Sequence, residues 1–215
     1  MKKCFSLLLI AFLLIGVFGC SQNKKENSRE VGQLTVYEDK KEAPREGGTL
    51  RLALAGAQSL NPLLATNQNN LWVLGLVFDG LFTRTAEDRV EPVLCKDYTV
   101  SADGLRYEFI LKDGVSFHSG ARLTAHDVVR TLEHLMASEG VFKGRFSDIA
   151  SFEANGMTLV INLHKPVINF IALLDFPVLS ERDLGSIGQG FSLASGYVPN
   201  GTGRYKVQSY KKSKE

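Results

Sequence analysis

A mixed α/β body is the fold class the sequence predicts, and three observations predict it. Apolar residues alternate at Leu50, Leu52 and Leu54, and again at Tyr107, Phe109 and Leu111; a period of two places such residues on one face of a strand. Val128, Val129, Leu132, Leu135 and Met136 fall instead at i, i+1, i+4, i+7 and i+8, a single helical stripe. Segments of both kinds interleave, without any internal repeat, over roughly 165 residues, enough chain to bury a core.

The first segment is of another kind. Lys2 and Lys3 precede fifteen uncharged, mostly apolar residues, Phe5 to Gly19, and then Cys20. A basic start before a short apolar run is the pattern of a secretory signal peptide. The run is shorter than the roughly 20 apolar residues that span a bilayer. Val17-Phe18-Gly19-Cys20 resembles the lipobox of bacterial lipoproteins, although Phe18 stands where a small residue is usual. That resemblance implies cleavage before Cys20 and lipid attachment to it, so residues 1–19 are expected to be a lipoprotein signal. Two or more acyl chains hold a protein stably to a membrane.

Residues 1–19 carry two lysines and no acids, so their removal takes the formal charge from +2 to zero. With no basic excess to meet phosphates, nothing suggests a nucleic-acid partner. Cys4 leaves with the signal and Cys20 carries lipid, which leaves Cys95 as the one free thiol. An intramolecular disulfide and a cysteine-built zinc site are then both excluded, and Cys95 reads as a small buried hydrophobe.

Residues 20–46 read as the lipidated cysteine and a flexible polar tether. Twelve of the twenty-six residues from 21 to 46 are charged, too little apolar surface to offset the entropy of ordering. Such a tether reaches roughly 30 Å on average.

The folded body is expected over 47–215. It opens with the strand in GGTLRLAL; Asn61-Pro62 marks a turn. NNLWVLGLVFDGLF, 69–82, is apolar enough to read as a buried helix closed near Gly80. The strand through Tyr107, Phe109 and Leu111 runs to an Asp113-Gly114 turn. The clearest helix follows, in LTAHDVVRTLEHLM, where Thr124 and Asp127 have the spacing of a capping box with the shorter acid. TLVINL, 158–163, is a further strand, and VINFIALL a short apolar helix before Pro177. Gly201, Gly203 and a candidate edge strand through Tyr205 and Val207 lie near the end of the sequence.

The sequence carries no recognisable catalytic constellation. His126 and His134 lie eight apart on one helix with Arg130 between them, whereas a metal-binding HExxH pair would be four apart; they read as a solvated face. His118, in SFHSG, sits beside a turn, where a structural hydrogen bond is the ordinary role. No G-x-S-x-G, P-loop or GxGxxG motif occurs, and no carboxylates pair at a spacing that suggests acid/base work. The residues themselves thus describe a lipid-anchored body without a reactive group, which points to binding rather than catalysis; no cofactor and no metal site is expected.

Several stretches, in order, resemble the family 5 solute-binding proteins of ABC transporters, the oligopeptide and dipeptide binders. GGTLRLAL with SLNPLLATN resembles that family's first strand and L-[ND]-P turn. VFDGLFTR resembles its helix end, and EPVLCKDYTVSADGLRYEFILKDGVSFHSGARLTAHDVVRTLEHL its longest run of motifs. GTGRYKV resembles its G-T-G-P-Y-K start, with Arg204 in the place of proline. The likeness covers about residues 47–210.

The resemblance implies the first lobe of a two-lobe periplasmic-binding-protein fold (class II, cluster C type), incomplete and stopped near a crossing to the second lobe. It implies an extracytoplasmic protein that takes up a peptide or similar small solute and hands it to ABC permease subunits. It places Thr66, Asn67 and Gln68 along the ligand backbone and makes Phe142 the nearest candidate for an aromatic leaning into the cleft. Ala65 falls where some relatives have a large aromatic. Nickel chelates, oligosaccharides and opines are other ligands of such proteins. Two further readings remain open: a non-functional fragment of a binding protein, and, more remotely, a lipoprotein metallohydrolase.

Overall fold

The computed structural model describes residues 47–52, 60–64, 68–138, 142–185 and 198–209. The chain divides into two units, Met1–Leu50 and Arg51–Glu215, and the architecture below belongs to the second. The signal, Cys20 and the tether lie outside the described residues.

A 3-10 turn, Pro62–Leu64, precedes helix α1, Gln68–Val77. Asn61 starts that turn by accepting the Leu63 N–H on its side-chain oxygen at 2.9 Å, the local bond that makes asparagine a turn former. Asn70, Leu74, Val77 and Phe78 are buried along one side of α1, while Trp72, on the opposite side, is 68% exposed. The helix expected to be buried all round is therefore one-sided. From Leu71 to Val77 it holds no polar side chain, so periodicity could not show which side faces the core.

Strands β1, Phe82–Arg84, and β2, Val90–Pro92, form a short antiparallel pair. The main sheet has four antiparallel strands in the order β3-β4-β6-β5: β3, Cys95–Val100; β4, Arg106–Leu111; β5, Ile149–Asn155; and β6, Thr158–Leu163. Register explains the core. Phe109 faces Leu159 and Tyr107 faces Ile161, and cross-strand partners share a face, so the alternation read in YEFIL continues across the sheet. Phe109, Leu111, Leu159 and Ile161 are fully buried. Both edge strands are irregular, with register shifts between Cys95 and Asp97 in β3 and between Ile149 and Ser151 in β5; such bulges discourage edge-to-edge pairing.

Helix α2, Ala125–Ala137, packs against β5 and β6 through Val128, Val129, Leu132 and Leu135. Met136, expected on that stripe, is 43% exposed. It lies in the last turn of the helix, one residue before its end at Ala137. The hairpin from β5 to β6 turns at Gly156, whose φ of +59° suits a two-residue hairpin loop. Its carbonyl accepts the N–H of Ala125 at 3.0 Å, which supplies a partner for one of the free donors at the start of α2.

Two expected elements take other forms. VINFIALL yields only a 3-10 turn, Phe170–Leu173, because Asn169 adopts φ +55°, a left-handed conformation that interrupts a helix. Residues 47–52 form no strand, and Leu50 and Leu52 are half-exposed. Ala53 and Leu54, the rest of the expected strand, lie outside the described residues. A four-residue helix α3, Glu181–Leu184, completes the order.

Candidate functional site

Of the predicted solute-contact residues, Thr66 and Asn67 lie outside the described residues, and Gln68 opens α1. Phe142 is 5% exposed, among the core residues. The Arg145 guanidinium sits 5.5 Å from its ring centroid and 5.8 Å from that of Phe146, close enough for a cation–π attraction. Arg145 is itself held by the Ala172 carbonyl at 3.3 Å and by Asp175.

The other end of α1 is a junction that motif reading did not anticipate. Residues 198–209 form no strand; they run as a strap over the C-terminus of the helix. Gly203 N–H donates to Val77 O at 2.9 Å and Tyr205 N–H to Leu76 O at 3.0 Å. Helix C-termini leave such carbonyls without partners, and the strap supplies them. The donors expected for an edge strand are thus spent on a helix end. Glycine is required by proximity: a Cβ on Gly201 would stand 1.9 Å from Val77 O, and one on Gly203 2.7 Å from Leu76 O.

The turn at 117–120 clasps the strap from another side. His118 N–H donates to Gly201 O at 2.9 Å. Its ring Nε2 lies 2.8 Å from Gly203 O, and a carbonyl only accepts, so Nε2 carries the proton. The other ring nitrogen, Nδ1, is buried and meets no hydrogen-bond partner among the described residues. Ser119 N–H donates to Asn200 Oδ1 at 2.8 Å, and Asn200 Nδ2 to Asp183 Oδ2 at 2.7 Å. Thr202 Oγ1 donates to Asp79 Oδ2 at 2.9 Å. The structural hydrogen bond expected of His118 is present. The signal that could have located this junction is the pair of glycines in GTG, which reads as close backbone approach as readily as it reads as a turn.

His126 and His134 occupy a charged face of α2. His126 Nε2 lies 3.5 Å from Glu181 Oε1, and His134 Nδ1 lies 2.9 Å from the Arg130 carbonyl. Among the described residues no group of three or more His, Cys, Asp or Glu is placed to hold a metal. Cys95 is fully buried, and burial pushes its thiol up to about 11.

Solved structures share this arrangement of sheet, helices and loops. NikZ from Campylobacter jejuni, in complex with Ni(L-His), superposes with a TM-score of 0.63 at 30% identity over 71% of this chain and 31% of that one. The periplasmic binding protein DppA from Helicobacter pylori, in complex with the peptide STSA, gives 0.60 at 27% identity over 71% and 35%. Residues 89–215 match the family described as bacterial extracellular solute-binding proteins, family 5 Middle. The chain belongs to that family.

Among curated relatives, the glutathione-binding protein GsiB of Salmonella paratyphi A is 30% identical over 158 residues, 71% of this chain and 30% of GsiB. The chain therefore spans about 30% of the length of that relative. GsiB and DppA are named as binding proteins, not enzymes.

Proposed function

We propose that this chain is part of the substrate-binding lipoprotein of an ABC importer, which captures peptides or similar small solutes outside the cytoplasmic membrane and delivers them to the permease subunits. The observation that carries the proposal is the family match over 89–215, joined to a fold shared with a peptide-bound relative. In this reading Cys20 is the lipid attachment site, residues 20–46 are the lipidated cysteine and tether, and the lipid anchors the protein to the membrane.

In this reading two lobes close about a hinge and bury the solute between them. Peptide held through its backbone, as an added strand would be, leaves side-chain sequence weakly discriminated. Thr66, Asn67 and Gln68 line that backbone. Phe142, buried in the core, supports the lobe by packing.

Thermal unfolding with a mixed pool of short peptides, glutathione and Ni(L-His) tests the proposal. A bound solute at 100 times its Kd stabilises by about 2.7 kcal/mol, a shift of several degrees. A shift with the peptide pool supports the reading. No shift with peptides, but one with glutathione or the chelate, changes the solute class. The span of about 30% of GsiB favours a second reading, in which these residues carry one wall and retain no solute alone. No shift with any of the three supports that reading.

A further inference from the structure

We propose that residues 200–206 form a strap that opens as a unit from an otherwise folded body, and that His118 is its latch. The strap is fastened differently from the sheet it borders. Among the described residues, Pro199 and Gly201 are buried and Val207 half-buried, the remaining ties are hydrogen bonds, and Val198 and Tyr205 are 57% and 44% exposed. β4 and β6, by contrast, are held by fully buried Phe109, Leu111, Leu159 and Ile161. Segments with few buried apolar contacts open at lower free energy than a packed core, and a hydrogen bond exchanged for water contributes only modestly.

The ties also share members, so they release together. His118 bonds the strap twice, through its backbone N–H to Gly201 O and through Nε2 to Gly203 O. Those two carbonyls flank Thr202, whose hydroxyl reaches Asp79, and Gly203 returns a bond from its N–H to Val77 O. Lifting Gly203 away from His118 breaks the Val77 bond as well. The strap seats this closely only because residue 201 is glycine: a Cβ there would stand 1.9 Å from Val77 O. His118 acts here as a positioning residue, because every effect passes through the backbone it holds.

Amide hydrogen exchange of the 215-residue chain, resolved by residue, tests this. The amides of His118, Gly203 and Tyr205 are expected to exchange together and at least tenfold faster than those of Phe109 and Ile161. His118→Phe, which keeps a ring but removes the Nε2 donor, is expected to speed that set about tenfold and leave the β4 and β6 amides unchanged. Thr202→Val, which cuts the tie to Asp79, is expected to speed the same set, and guards against a misfolded His118 variant. Exchange of the three amides in step with the sheet would overturn the proposal. So would a Thr202→Val effect confined to its neighbours, leaving the His118 amide unmoved.

Discussion

Asp127, 8% exposed at the first turn of α2, accepts three hydrogen bonds: from Thr124 N–H and Oγ1, each at 2.9 Å, and from Glu181 N–H at 2.8 Å. One carboxylate thus caps α2 and ties the start of α3 to it. Thr131 adds to the stitch, since its Oγ1 donates to Asp127 O at 2.8 Å and accepts the Leu179 N–H at 3.0 Å. Asp127→Ala is expected to lower stability in urea unfolding by about 2 kcal/mol, because it removes a cap and leaves donors unmatched. His126→Ala, in the exposed pair with Glu181, is expected to change it by less than about 0.5 kcal/mol. Cys95 gives a second prediction at this scale. Folding holds its thiol protonated, so the stabilisation is complete below its ordinary value of 9.0 and is lost as pH climbs towards about 11. At pH 8 its alkylation in the native protein is expected to be about 100-fold slower than in urea, since the thiolate is the reacting form; equal rates would mean an exposed thiol.

The elements divide by how local their causes are. Helix α2 and the strands β4 and β6 were legible in the sequence, because a stripe of period 3.6 and an alternation of period two are set within a dozen residues; the pairing of Phe109 with Leu159 was not, since it joins distant segments. Helix α1 was legible as a helix, but its exposed side was not, since Trp72 and Leu76 are as apolar as the buried Leu74 and Val77. The strap resembles a strand in the sequence because its partners are far away: Thr202 meets Asp79 across 123 positions and His118 meets Gly203 across 85. Two glycines separate local from distant causes experimentally. Gly75, exposed in α1 with nothing within 4 Å of where a Cβ would stand, costs the helix only conformational entropy. Gly75→Ala is expected to stabilise by about 0.5–1 kcal/mol. Gly201→Ala, whose Cβ would stand 1.9 Å from Val77 O, is expected to destabilise by about 3 kcal/mol or to unseat the strap. Thermal melts of the two variants should therefore move in opposite directions.

At the scale of the whole molecule, the family was legible because its motifs recur in order along the chain, and the match over residues 89–215 bears that out. The site was less so. Its proposed contacts at Thr66 and Asn67 lie outside the described residues, and a backbone-held solute leaves little side-chain signature in any sequence. The single tryptophan gives a direct way in. Trp72 is 68% exposed and one helical turn after Gln68, about 6 Å along the axis. Its emission reports on the proposed solute wall without interference from another indole. The central claim is that this wall takes up a small solute, and a fluorescence titration with the mixed peptide pool measures it. The account predicts a saturable change in Trp72 emission. Emission that stays unchanged with peptides, glutathione and Ni(L-His) alike, up to millimolar concentration, would contradict it.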